Sequence, residues 1–262
     1  MKPLYADYKR EWMDVAMPFL AKLRPQATPP AVVYPFGGGD LLHALATYPD
    51  ATEVTTISLE IAGDVRGVDK ADGRKLDKEL ATIRSHLGKL FLKAHSRTEN
   101  LDIETRGAIP GEVGFTMAAL YLHGYEPVTL RYFTFENDGT LHYLTDKEIE
   151  KSDKQGRSGP FANAEIRFHK AGDKRVRILR HVAYDLSDGS LKKSPALLAH
   201  LDAKKKVSTM TKAASHLLWD DQNFSVIRDW LMTHTDWMIS DTTGVPPRIA
   251  KKARCSRSPI TW

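Results

Sequence analysis

Val32-Val33-Tyr34-Pro35-Phe36-Gly37-Gly38-Gly39-Asp40 is the stretch that decides how the chain reads. An apolar run with two adjacent valines suits a strand buried on both faces. Three glycines break that run. Asp40 can then cap a helix over Leu41 to Thr47, because its carboxylate accepts the free N–H groups of a first helical turn. A second β-rich run, Glu53 to Leu59, follows the helix. Strand, turn, helix, strand is the parallel opening of an α/β fold.

Upstream, residues 3–24 carry Trp12, Val15, Ala16, Phe19, Leu20 and Leu23 at helical spacing, and the proline-rich stretch 25–30 is a stop and linker. Downstream, the apolar positions between Lys70 and Lys93 predict a helix, and 112–123 predicts another after the turn Pro110-Gly111. The pattern changes at Pro127. Val128 to Thr134 and Thr140 to Leu144 flank Asn137-Asp138-Gly139 and predict a hairpin. Ala164 to His169 and Val176 to Tyr184 predict a second. Residues 145–160 read as a polar loop, with helices at 194–203, 211–219 and 223–235 and a short strand at Trp237 to Ser240. The basic tail 248–262 reads as poorly ordered. The expectation is an α/β protein with a Rossmann-like start and a mixed sheet containing antiparallel hairpins in the middle. Residues 1–262 read as one domain, with 127–185 an antiparallel subdomain or an extension of the sheet.

Bulk properties narrow the function classes. The 262 residues, 42% hydrophobic and 27% charged, can bury a sizeable core and are not the composition of a disordered chain. A net charge of +5 and a pI of about 9.1 are mildly basic, but Lys and Arg alternate with Asp and Glu. A solvated surface is therefore the first reading and a nucleic-acid face the second. Cys255, the one cysteine, permits no intramolecular disulfide. No apolar run approaches the roughly 20 residues that span a bilayer. Met1-Lys2-Pro3-Leu4-Tyr5 is not leader-like, and a cytoplasmic protein and a mature exported one would both read this way.

The glycine turn is the first candidate site. Tyr34, Gly37, Gly38, Gly39 and Asp40 would let a ligand approach the backbone, and Glu60 ends the next strand at the distance where an acidic residue accepts ribose hydroxyls in dinucleotide folds. A carboxylate at Asp40 repels phosphate at the helix start, so the expected ligand is neutral or cationic. Asn caps about as well as Asp, so Asp40→Asn is expected to change stability little. The plain alternative is a tight turn with an ordinary cap.

The second candidate site is 212–246. On a helix, Lys212 would share a face with Ser215 and His216. Lys212 could activate a hydroxyl or hold an anion, His216 could shuttle protons and Asp241 could act as a base or a metal ligand. Arg228 follows in the next helix, and Thr243 and Gly244 lie in a hydroxyl-rich loop of the kind that binds ligands at strand ends. One shared site would give both clusters a single cause, so they are expected to meet in space. The plain alternative is a buried polar network that specifies the fold.

The first motif resembles that of S-adenosylmethionine-dependent methyltransferases, although Pro35 and Phe36 stand where an acidic residue is usual there. Together, Tyr34 to Asp40, Leu59-Glu60, Lys212 to Leu218, Phe224 to Arg228 and Asp241 to Pro246 resemble the conserved segments of a family of uncharacterised bacterial proteins. That resemblance implies a shared small-molecule site and an exported location for many members, but no particular reaction. Ser240 stands where a second acidic residue is usual in that family, a departure that weighs against metal binding by this loop. The expected function is small-ligand binding, with group transfer as the enzyme class and S-adenosylmethionine as the cofactor the first motif suggests. A non-catalytic structural module is the alternative, and the oligomeric state is open. His123, His142, His169, His181 and His200 have no metal-ligand spacing. Tyr132, Phe133 and Phe135 read as core aromatics before base-stacking ones.

Overall fold

The computed structural model describes residues 2–70, 72–93, 111–212, 214–220, 222–240 and 244–245. Asp241, Thr243 and the tail 248–262 lie outside the described residues. The chain opens with helices α1 (Lys2–Tyr8) and α2 (Asp14–Leu23), joined by one wide π-type turn, Lys9–Met13. Strand β1 (Ala31–Pro35), helix α3 (Leu41–Thr47) and strand β2 (Glu53–Ser58) follow, and β1 and β2 pair in parallel. Helices α4 (Gly73–Lys93) and α5 (Glu112–Leu122) lead into the middle of the chain.

The two expected hairpins form. Strand β3 (Tyr125–Phe135) pairs antiparallel with β4 (Leu141–Tyr143), and β5 (Asn163–Lys170) with β6 (Arg177–Ala183). They extend the sheet, because β6 also pairs in parallel with β2. The stretch read as a loop at 145–160 instead contains helix α6 (Asp146–Lys151), closed by a capping box between Thr145 and Glu148. That Thr-x-x-Glu signature satisfies first-turn donors in a short polar segment with little apolar periodicity.

Helices α7 (Asp188–Lys193) and α8 (Ala196–Asp202) precede β7 (Val207–Thr211), and α9 (Ser225–His234) precedes β8 (Thr235–Ser240). The eight strands run in the order β4-β3-β5-β6-β2-β1-β7-β8. The last five in that order are mutually parallel, and the fold is α/β with a mixed sheet.

Alternate residues of β1 divide the core. Val32 and Tyr34 join Leu42, Leu45, Phe115 and Leu120 on one face, while Val33 joins Ile57, Val182, Leu197, Ile227 and Leu231 on the other. Helices α3 and α5 thus cover one face and α7 to α9 the opposite one. The chain moves from β1 to β2 across the first face and enters β7, on the far side of β1, across the second. The carboxyl ends of β1 and β7 therefore open a crevice between oppositely directed connections, which is where open α/β sheets hold ligands. No helix among the described residues is long and apolar enough to cross a membrane.

Candidate functional site

The glycine turn leaves β1 at an uncommon backbone angle. Phe36, with φ of 59°, is a non-glycine residue in the left-handed region, which costs about 1–3 kcal/mol and persists only where its surroundings hold it. Its ring meets Phe224 edge-on at 5.7 Å. Ala214, just after β7, is also left-handed at φ 45°. Both turns flank the place where the two candidate clusters join.

Gly37 has a steric cause. A Cβ there would stand 2.5 Å from the Tyr34 ring, so only glycine lets the turn fold over that side chain. Gly37→Ala should cost about 1–3 kcal/mol, the usual range for overpacking, measured by urea unfolding. An unchanged midpoint would mean that the ring moves aside freely.

Asp40 caps α3, accepting the backbone N–H of His43 at 3.4 Å. Its carboxylate also accepts Tyr34 Oη–H at 2.9 Å, meets His43 Nδ1, and pairs with Lys212 Nζ at 3.3 Å. Lys212 Nζ lies 3.0 Å from His43 Nδ1 as well. The carboxylate can only accept, and it is the closer of the two to Nδ1, so the ring proton belongs on Nδ1, directed at Asp40, and the Lys212 ammonium donates to the carboxylate and not to the ring. Burial lowers the His43 pKa; the Asp40 charge opposes this and the Lys212 charge adds to it, leaving the imidazole neutral. Burial alone would raise Asp40, but His43, Lys212 and the Tyr34 hydroxyl outweigh it and hold the carboxyl well below its usual range. Trp12 and Tyr8, from the N-terminal helical segment, cover His43 edge-on at 4.6 and 5.4 Å.

A second group of side chains backs the same turn. Glu112 is the first residue of α5. The N–H groups of Glu112 and Val113 donate to the carbonyls of Ile61 and Ala62 at 3.1 Å each, which seats the helix start on the segment after β2. A Cβ on Gly39 would stand 2.3 Å from Glu112 Oε2, so the glycine makes room for the carboxyl. Over Gly38, a methyl would lie 3.6 Å from Glu112 Oε1, 3.8 Å from Glu60 Oε2 and 3.8 Å from Ser58 Cβ. Among the described residues, Ser58 Oγ, Glu60 Oε2 and Glu112 Oε2 are buried without hydrogen-bond partners. Burial, then the Glu60 charge, pushes the Glu112 carboxyl up to about 8.

Glu60 is positioned by β6. His181 Nε2 donates to the Glu60 carbonyl at 2.8 Å, so its Nδ1 carries the lone pair that accepts Thr56 Oγ1–H at 3.2 Å. Burial holds this imidazole near 4, against the smaller opposing effect of the Glu60 carbonyl.

The expected sites are thus brought together, with changes. No protein-family model, curated protein or solved structure matches the chain. Tyr34, the three glycines, Asp40, Glu60 and Lys212 form one region at the carboxyl ends of β1, β2 and β7. The helical face expected for Lys212, Ser215 and His216 does not exist. Lys212 follows the last residue of β7, Ala214 turns left-handed, and Ser215–Trp219 is a short 3-10 turn. Ser215 is buried there and His216 is exposed. Arg228 is buried on α9, and its Nη1 donates to the Leu218 carbonyl at 3.3 Å, tying that helix to the 3-10 turn. Gly244 is a buried residue in a bend, and Asp241 and Thr243 lie outside the described residues. Among the described residues, no group of three His, Cys, Asp or Glu side chains could hold a metal ion.

Sequence reading missed His43, Glu112 and Ser58 and set His181 aside. His43 had a local signal, the third position after a cap. Glu112 had none, because its role depends on a contact across the fold.

Proposed function

We propose that this chain binds a small organic ligand at the carboxyl ends of β1, β2 and β7, over the glycine turn, and that it is a group-transfer enzyme. The observation that carries this reading is the set of partnerless buried oxygens on Ser58, Glu60 and Glu112 around Gly38 and Gly39. A fold gains nothing from an unpaired buried carboxyl, which costs stability unless something else meets it. The two nearby carboxyls are also pushed in opposite directions, Asp40 down and Glu112 up to about 8. Such divergence separates the roles of base and acid, and a group titrating near neutrality suits proton transfer. Glu112 is then the group that exchanges a proton at the site, and Lys212, with 24% of its side chain exposed, is the cation at the rim. The parallel β1–α3–β2 unit supports a Rossmann-like reading, and the resemblance of the glycine turn keeps S-adenosylmethionine among the cofactors to test.

A different observation favours a structural role for one half of the region. Asp40 and His43 are 5% and 2% exposed and paired with each other, and Asp40 also bonds Tyr34 and Lys212. In this reading the Tyr34–Asp40–His43–Lys212 network holds the turn in place, and the unpaired group around Gly38 meets the ligand.

A thermal-shift screen with nucleosides, S-adenosylmethionine, sugars and metals tests the proposal, since a ligand at 100-fold its dissociation constant adds about 2.7 kcal/mol. Gly38→Ala is the control. Gly38 has φ of +46° and its Cβ would make only ordinary contacts, so the variant should fold at a cost of about 1–2 kcal/mol while filling the space over the turn. A ligand that stabilises the wild type should fail to stabilise this variant. Equal shifts in both would place binding elsewhere and end the proposal.

A further inference from the structure

We propose that the space over Gly38 takes a positively charged nitrogen of the ligand, an amine or guanidinium group, held between Glu60 and Glu112 with Ser58 as a third acceptor. This rests on the ligand-site reading above and assigns the chemistry of its innermost part. The geometry is specific to that place. Both carboxyl groups and Ser58 border the position a side chain on Gly38 would occupy. Ser58 is 6% exposed and Glu112 1% exposed, and each carries an oxygen without a partner. Glu112 Oε1 and Glu60 Oε2 border that position directly, Ser58 borders it through its Cβ, and the partnerless Glu112 Oε2 faces the neighbouring Gly39.

Donor chemistry selects among ligands. A neutral hydroxyl could satisfy one acceptor but would leave the repulsion between the two carboxyls in place. A phosphate would add to it. A hard divalent cation prefers six or more oxygens, whereas two carboxyls and one hydroxyl meet here. A nitrogen cation supplies two or more N–H donors and one charge, and guanidinium can bond a carboxylate through two parallel donors.

Without such a cation the pair holds a proton, which is the state burial and Glu60 impose on Glu112. The other groups facing it from the surrounding elements do not compete for that role. Asp40, beyond the glycine turn, is paired with Lys212 and His43, and His181 of β6 reaches the site only through the Glu60 carbonyl. Asp64, after β2, is paired with Arg66, and α5 itself presents Val113, Phe115 and Thr116. A cation entering the site therefore displaces the Glu112 proton to solvent. Binding and proton release are linked, so affinity should rise about tenfold per pH unit below the Glu112 midpoint and level off above it.

The test uses the full chain, with putrescine as the cationic probe and 1,4-butanediol as its neutral counterpart, by calorimetry in buffers of different ionisation enthalpy. Putrescine should bind and release nearly one proton at pH 6.5 and almost none at pH 9, and butanediol should not bind. Glu112→Gln should weaken putrescine at least tenfold and abolish the proton release while remaining folded by circular dichroism. The proposal is overturned if butanediol binds as well as putrescine, if putrescine binds without proton release or equally in the variant, or if it does not bind. A magnesium titration that releases the proton where putrescine does not would overturn it in favour of a metal site. If putrescine fails while a neutral compound from the thermal-shift screen still loses its effect in Gly38→Ala, the ligand site stands and its cationic character falls. If no compound distinguishes wild type from Gly38→Ala, both readings fall.

Discussion

Glu112→Gln should make the protein more stable at pH 8 and leave it nearly unchanged at pH 5. The sign follows from linkage. Glu112 titrates at about 8 in the folded chain and near 4.3 when unfolded. Between those values the folded state holds a proton that the unfolded state has lost, so stability falls as pH rises, by about 1.4 kcal/mol per unit. Over that window the loss is of order 3–5 kcal/mol, complete once pH exceeds the folded value. A buried Gln has no such titration, although burying its amide with incomplete hydrogen bonds costs about 1–2 kcal/mol. The net gain at pH 8 is about 2–3 kcal/mol, or roughly 5–10 °C in Tm for a chain of this size. Melting curves of both proteins from pH 5 to 9 check it. A variant less stable than wild type at every pH would show that Glu112 has a structural partner, and would remove the main support for a ligand site. A stabilising substitution at a functional position is the usual exchange between stability and activity.

Asp40→Asn should destabilise the fold by about 3 kcal/mol, contrary to the expectation from capping alone. As a cap, Asn would serve. In the folded chain, however, donors approach both carboxylate oxygens: His43 N–H and Nδ1–H at one, Tyr34 Oη–H and Lys212 Nζ at the other. An amide can accept at only one side and turns its own N–H groups toward donors at the other. Breaking a buried ion pair from one end costs about 3–5 kcal/mol, and the partial exposure of Lys212 places the effect at the lower end. Tm should fall by roughly 6–12 °C. Lys212→Met should cost less, and the double variant should lose less than the sum, because both changes remove the same pair. Strict additivity would mean that the pair contributes nothing. The Asp40 carboxyl is held below its usual range, so its contribution is present above about pH 4 and is lost as pH falls further. Its pH dependence thus runs opposite to that of Glu112, and acid unfolding of Asp40→Asn should be correspondingly shallower.

Much of this was legible in the sequence, for local reasons. The paired valines and the glycines of 32–39 produced a buried strand and a tight turn, and Asp40 a cap, because each depends on neighbours within a few positions. The alternating residues around Asn137-Asp138-Gly139 specified the first hairpin in the same way. Strand β7 was not legible. Val207-Ser208-Thr209-Met210-Thr211 is buried throughout, and two of its polar side chains are satisfied by distant partners, Ser208 by the Pro29 carbonyl and Thr209 by Thr235. The Ala-rich stretch that follows favours helix by propensity, which is a weak preference that tertiary contacts override. That is why Lys212 was expected on a helix face and stands instead at the end of a strand.

The sequence alone therefore determined the class of fold, the glycine turn, and Asp40 and Glu60 as acidic residues of the candidate site. Tertiary structure decided the chemistry. The raised state of Glu112 comes from burial in a dry interior and then from its closeness to Glu60, and the lowered state of Asp40 from His43 and from Lys212, a lysine just past another strand. Charges interact strongly only within a few ångströms and where water is excluded, and neither condition is written in the spacing of residues along the chain.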